Sequence, residues 1–128
     1  MNRIVLDASA ILAVIGGEPG AEKLTPALLS RAVGSAVNLA EVQAKLVSRG
    51  WDSRQAWIDA TSPIREVMPF DEAQARVACD LVIQTRPLGL SLGDRACLAL
   101  GIVLGVPVYT AEKAWANLKG NSRVRVIR

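Results

Sequence analysis

The sequence contains no histidine and only two cysteines among its 128 residues, and no apolar run approaches the length of a membrane span. Without imidazole, serine and cysteine triads and histidine-pair ribonuclease chemistry are excluded, so any hydrolysis must rest on carboxylates, lysine or a metal ion. Cys79 and Cys97 both lie in apolar helical patterns and are read as small buried hydrophobes rather than as a disulfide or metal site. A bilayer helix needs about 18 or more uninterrupted apolar residues, which the chain does not supply. Residues 1–17 have a basic start and an apolar stretch, but Asp7 interrupts it and no small-residue cleavage site closes it, so a leader peptide is not expected. The expectation is a soluble, cytoplasmic chain with no membrane partner. A Walker phosphate loop is missing too, since residues 16–20 carry no Gly-Lys-Ser/Thr ending, and no GxGxxG follows the first apolar run.

Hydrophobic residues make up 51% of the chain, enough to exclude a disordered linker. The length suits one domain covering residues 1–128. A net charge of +3 with a pI near 9.2 is mildly basic and does not by itself demand a nucleic-acid partner.

Short runs rich in Val, Ile and Leu alternate with longer stretches of helical period, the pattern of a βαβ protein with a parallel sheet. Strands are expected at residues 3–6, 33–37, 66–70, 107–110 and 124–127. Leu39, Val42 and Leu46 mark one helix face, and Ala73, Val77, Ala78, Leu81 and Val82 mark another. Residues 98–104 are apolar nearly all round, as in a helix buried on several sides, and Gly105 with Pro107 ends it. A further helix is expected over residues 52–63, with Trp51 and Trp57 read as packing residues in preference to binding platforms. The tail alternates Arg123, Arg125 and Arg128 with Val124, Val126 and Ile127, which fits an edge strand with a solvated charged face.

Four acids stand at expected strand-to-helix junctions or first helical turns: Asp7, Glu41, Asp94 and Glu112. Each has a structural role open to it. Asp7 can cap the following helix; residues 38–41 (Asn-Leu-Ala-Glu) and 91–94 (Ser-Leu-Gly-Asp) read as capping boxes; Glu112 can favour a helix dipole. Capping explains each acid singly but does not require them to converge. Asp7 ends the first strand at the carboxyl edge of a parallel sheet, where such folds bind ligands, and Glu112 follows another strand at that edge. If those two strands are neighbours, Asp7 and Glu112 face one crevice that Glu41 and Asp94 can reach. Clustered carboxylates repel unless a cation neutralises them, which points to a hard divalent ion, Mg²⁺ or Mn²⁺, and to phosphodiester hydrolysis. Setting the four acids aside leaves eight acidic against fifteen basic residues, a surround that suits a nucleic-acid backbone.

Residues 5–10 (Val-Leu-Asp-Ala-Ser-Ala), 38–42 (Asn-Leu-Ala-Glu-Val), 91–100 (Ser-Leu-Gly-Asp-Arg-Ala-Cys-Leu-Ala-Leu) and 110–112 (Thr-Ala-Glu) with Trp115 resemble, in order and spacing, the signature of PIN domains, particularly VapC toxins. Residues 66–71 resemble that family's middle strand. The resemblance implies an α/β/α sandwich, a three-layer fold around a mainly parallel sheet of about five strands. It also implies Mg²⁺- or Mn²⁺-dependent cleavage of an RNA substrate, homodimerisation, and neutralisation by a VapB-type antitoxin. By position it makes Asp7, Glu41 and Asp94 the acidic triad and Glu112 the fourth acid, all four catalytic and metal-ligating, with Ser9 and Thr110 as supporting hydroxyls; a turn or cap role for those hydroxyls is equally open. The family commonly has aspartate where this chain has Glu112, whose extra methylene can place a water between carboxylate and ion. The start also resembles a haloacid-dehalogenase-type phosphatase, but its second acid would fall at Ser9. The alternative function is a non-catalytic PIN-fold module that binds RNA or protein.

Overall fold

The computed structural model describes residues 2–118 and 123–128. Its chain order is β1 (Ile4–Leu6), α1 (Ala8–Gly16), α2 (Pro26–Leu29), β2 (Ala32–Ser35), α3 (Ala36–Ser48), α4 (Ser53–Thr61), β3 (Glu66–Met68), α5 (Glu72–Asp80), α6 (Val82–Thr85), α7 (Leu92–Leu104), β4 (Val108–Thr110) and β5 (Val124–Val126). Three short 3-10 turns, Ala21–Lys23, Arg86–Leu88 and Lys113–Asn117, complete the described residues. The strands form one sheet in the order β3-β2-β1-β4-β5, and every pairing is parallel. All five expected strands are present; four are trimmed by one or two residues at an end, and β2 starts one residue earlier and ends two residues earlier than the expected 33–37.

Side-chain alternation builds the two apolar layers. Ile4 and Leu6 of β1 and Ala32 of β2 face a core with Ile11 of α1, Leu39, Val42 and Leu46 of α3, and Ala56 and Ala60 of α4. Val5, Val33 and Val108 point the other way, onto Leu81, Trp115 and α7 residues Cys97, Leu98 and Leu100. The result is the α/β/α sandwich. Among the described residues no helix is long and apolar enough to cross a membrane.

Several local expectations are corrected. The helix carrying Glu41 starts at Ala36, because the Ser35 hydroxyl accepts the Val37 amide and ends β2 there, so Asn38 and Glu41 are not a capping box. On α5 the buried positions are Gln74 and Ala78 rather than Ala73. Asp71 caps this helix by accepting the Gln74 backbone amide, and the Gln74 side-chain amide donates to the Pro69 carbonyl at 3.0 Å, which lets a polar residue occupy the inward face. The same rotation leaves Cys79 exposed, whereas Cys97 is buried as expected. Trp51 and Trp57 are not core residues: they are 39% and 38% exposed, and the Trp51 indole N–H donates to Asp59 at 2.7 Å across the α4 surface. On α7 the all-round apolar pattern is buried through Gly101, but Val103 returns to solvent. Gly105 closes this helix at φ +69°, a left-handed conformation that glycine adopts without strain.

Candidate active site

The strand order reverses at β1: the chain moves outward through β2 and β3, then returns to place β4 on the other flank. Such a switch point leaves a crevice at the carboxyl ends of the two central strands. Asp7 follows β1 there, Thr110 ends β4 beside it, and the neighbouring strands pair Leu6 with Tyr109. A cavity of about 220 Å³ at this edge is lined by Asp7, Ser9, Leu12, Glu41, Lys45, Asp94 and Glu112 with Ala8. All four acids singled out in the sequence therefore meet in one cavity, drawn from segments up to 105 positions apart (112 less 7).

Asp7 is the buried member, 3% exposed. As N-cap of α1 its Oδ1 accepts the Ala10 amide at 2.7 Å. Thr110 Oγ1 donates to its Oδ2 at 2.6 Å, and Ser9 Oγ lies 2.8 and 2.9 Å from the two oxygens. In turn the Ser9 hydroxyl accepts the Ala111 amide and the Thr110 hydroxyl accepts the Glu112 amide, both at 2.9 Å. Ser9 and Thr110 thus stitch the two central strand ends together around one carboxylate, going beyond ordinary turn bonds. Burial pushes the Asp7 carboxyl up from 3.8 to about 6; the hydrogen bonds from Thr110, Ala10 and Ser9 hold it down in part, and the charge of Asp94 adds to the rise.

The other acids are held more loosely. Asp94 makes both halves of the capping box with Ser91, committing Oδ2 to the Ser91 amide at 2.9 Å, while its Oδ1 has no hydrogen bond among the described residues. Glu41 Oε1 accepts from the Asn38 side-chain amide at 3.0 Å, and the same amide donates to the Gly93 carbonyl at 2.9 Å, tying the start of α3 to the start of α7. A Cβ at Gly93 would overlap the Glu41 carboxylate, so this position sets how closely the two helices bring their acids. Glu112 caps the 3-10 turn Lys113–Asn117 with its backbone, and its side chain makes no capping bond. Beneath the cavity, Cys97 is fully buried; burial pushes its thiol up, and the charges of Asp7, Asp94 and Glu41 push it the same way.

Three contributors were missed in the sequence. Lys45 lies one helical turn beyond Glu41, a spacing that ordinarily signals a solvated surface pair, yet it lines the cavity and makes no ion pair among the described residues. Asn38, read only as a cap, is buried and holds Glu41, with its own Oδ1 left unpartnered. Gly93 stood inside the Ser-Leu-Gly-Asp string of residues 91–94, but no role of its own was read there.

The donor set is oxygen only, which suits Mg²⁺ or Mn²⁺. Among the described residues no three carboxylates are gathered closely enough to hold one ion together. Mg²⁺ commonly binds through one or two carboxylates and keeps several waters, so the uncommitted oxygens of Asp94 and Glu41 and the charge-starved Asp7 fit such an ion.

The family model described as PIN domain matches residues 4–121. The chain belongs to the PIN-domain family. Among solved structures with this fold, VapBC2 from Rickettsia felis, bound to a DNA fragment from its promoter, aligns at TM-score 0.74 with 16% identity over 98% of each chain. VapBC-5 from Mycobacterium tuberculosis, a toxin-antitoxin system, aligns at TM-score 0.68 with 25% identity over 100% of this chain and 99% of that one. The Sarcin-Ricin loop cleaving toxin VapC20 of the same organism aligns at TM-score 0.71 with 18% identity over 91% and 96%. No curated protein matches the chain. PIN membership agrees with the ordered sequence motifs, and the PIN fold agrees with the sandwich expected from them.

Proposed function

We propose that this PIN domain is a metal-dependent endoribonuclease, the toxin of a toxin-antitoxin pair held in check by a VapB-type antitoxin. The observation that carries the reading is the meeting of Asp7, Glu41, Asp94 and Glu112 in one cavity at the switch point of a PIN sheet. Asp7, Glu41 and Asp94 would surround Mg²⁺ or Mn²⁺, one or two of them directly and the rest through bound water, with Glu112 as the outer acid. When bound, such an ion lowers the pKa of a bound water and neutralises charge on a phosphoryl oxygen. The protein's own part is positioning. Ser9 and Thr110 fix the Asp7 carboxylate, Asn38 fixes Glu41, the Ser91 capping box fixes Asp94, and the Lys45 ammonium offers the cavity a cation for an RNA phosphate.

Exposed Val47, Trp51, Trp57 and Ile58 gather on the α3–α4 hairpin, the same α3 that carries Glu41. Apolar exposure of this kind suits a partner surface, and we assign it to the antitoxin, whose neutralising segment should also bring arginine or lysine to the acids. Homodimerisation and a cytoplasmic setting belong to the same reading.

Incubating the purified chain with total RNA, with and without Mg²⁺, tests it. Cleavage should require the ion and leave 5′-phosphate and 3′-hydroxyl ends. A 2′,3′-cyclic phosphate is incompatible with attack by water, and RNA binding with no cleavage in Mg²⁺, or in Mn²⁺ put in its place, would make the fold a non-catalytic module.

A further inference from the structure

A second cavity, about 430 Å³ and so larger than the acidic one, opens at the opposite, amino-terminal edge of the sheet and is lined by Arg3, Ser30, Arg31, Val33, Arg65 and Glu66. Its three arginines come from distant points in the chain, and parallel pairing brings them to one edge. Arg3 immediately precedes β1, Arg31 precedes β2, and Arg65 precedes β3; the register pairs Ile4 with Ala32 and Val33 with Glu66. Arg3 and Arg31 therefore stand one step ahead of the same pair, and the Arg65 amide donates to the Ala32 carbonyl at 2.8 Å.

Two of the guanidinium groups are fixed by backbone. Arg31 Nη1 donates to the Asn2 carbonyl at 3.2 Å, and Arg65 Nη1 donates to the Ser30 carbonyl at 3.0 Å. Arg3 meets Glu66 at 3.2 Å, the one carboxylate lining the cavity among the described residues. A backbone-clip role uses one of the five N–H donors of Arg31 and of Arg65 and leaves the rest for a ligand. It also gives no reason for three like charges to converge around a single acid. Three arginines against one glutamate leave two positive charges, and a phosphomonoester carries about −1.5 to −2 at neutral pH.

We propose that this cavity binds the phosphomonoester group of a nucleotide or of an RNA 5′ end, as an anion site separate from the carboxylate centre. Pre-fixed guanidinium forks match phosphate oxygens bidentately, and their anchoring lowers the entropy lost on binding. The site needs no metal and does not depend on the ribonuclease reading.

The test is titration of the ¹⁵N-labelled full chain, in EDTA and with Asp7→Asn so that the carboxylate centre neither takes metal nor cleaves. The probes are adenosine 5′-monophosphate, adenosine, and one RNA trinucleotide with and without a 5′-phosphate. The phosphorylated probes should shift the amides of Arg31, Val33 and Glu66, while adenosine and the unphosphorylated trinucleotide leave them unmoved. A response to the mononucleotide alone assigns the site to free nucleotides; a response to both phosphorylated probes extends it to RNA ends. By calorimetry, Arg31→Gln and Arg65→Gln should each weaken the mononucleotide about ten-fold, and Glu66→Gln should tighten it a few-fold. Arg65→Lys keeps the charge but loses the fork, and it serves where glutamine disturbs folding. The proposal is overturned if no phosphorylated probe moves these amides, if the shifts fall only on the Asp7–Glu112 cavity, or if folded glutamine variants bind unchanged.

Discussion

The two edges of this one sheet are built from the same operation and carry opposite charge. At the carboxyl edge, Asp7 and Glu112 after their strands, Asp94 in the first turn of α7, and Glu41 and Lys45 along α3 bring four acids and one lysine into a cavity; at the amino edge, the residue before each of three strands brings an arginine, and the first residue of β3 brings a glutamate. The difference lies in how the charges are housed. Asp7 is sealed from solvent and wrapped in donors, so its charge state is adjustable by pH and by cations. Arg3 and Glu66 are half-exposed, and a guanidinium carries a fixed charge that a phosphate can meet without a protonation step. One edge is suited to poising an ion and the other to holding an anion.

Asp7→Asn should break the comparison most sharply. It removes the buried charge with little change in volume, and cleavage measured on a labelled RNA should fall by about 10³-fold or more, while Arg65→Gln leaves cleavage of RNA lacking a 5′-phosphate within about two-fold. Equal losses in the two variants would mean that the edges do not act separately.

Metal-free stability gives the next largest effect. The native pKa of Asp7, about 6, lies above its ordinary 3.8, so the folded chain holds this proton more tightly than the unfolded one. The stability it contributes is full below about pH 4, falls as pH rises through about 6, and is lost above, a swing on the order of 3 kcal/mol. Thermal melts in EDTA at pH 5 and 7.5 should show this fall in the wild type and a smaller one in Asp7→Asn, which should melt higher than wild type at pH 7.5. Mg²⁺ should raise the wild-type Tm at pH 7.5 and raise that of Asp7→Asn much less.

Gly93→Ala sharpens the account of the carboxyl edge. The new methyl meets the Glu41 carboxylate, an exposed side-chain end that can swing away, so stability should change by less than about 1 kcal/mol while cleavage falls about ten-fold. A melt and a rate on the same preparation decide it; unchanged cleavage would remove Glu41 from the working set.

The smallest effect is expected at Glu112, whose carboxylate is the least constrained of the four. Glu112→Gln should slow cleavage a few-fold, and Glu112→Asp should maintain or raise it. Full activity of the glutamine variant across a Mg²⁺ titration would show that this acid only lines the cavity.

Much of this molecule was legible along the chain because it is set by local physics. β1 and β4 announce themselves by short apolar runs, β5 by its alternation of Arg with Val, and the Asp7 and Ser91–Asp94 caps by residue type and spacing. The misreadings occurred where a neighbouring element outbid the local pattern. Ser35 capped α3 three residues before Asn38 could, Gln74 turned inward because the Pro69 carbonyl was there to bond, and the tryptophans of the α3–α4 hairpin found no facing layer to cover them.

By itself the sequence determined the alternation of strands and helices, the acids at the strand and helix junctions, and the order of motifs that marks a PIN domain, since these depend on residues within a turn or two of one another. Tertiary structure decided the remainder. That Thr110 clamps Asp7, that Asn38 and Gly93 govern Glu41, that Lys45 enters an acidic cavity and that Arg3, Arg31 and Arg65 share another all follow from which strands and helices lie side by side. Coulomb repulsion, burial and hydrogen bonding act over a few ångströms of space, and the strand order β3-β2-β1-β4-β5 sets which distant residues come within that range.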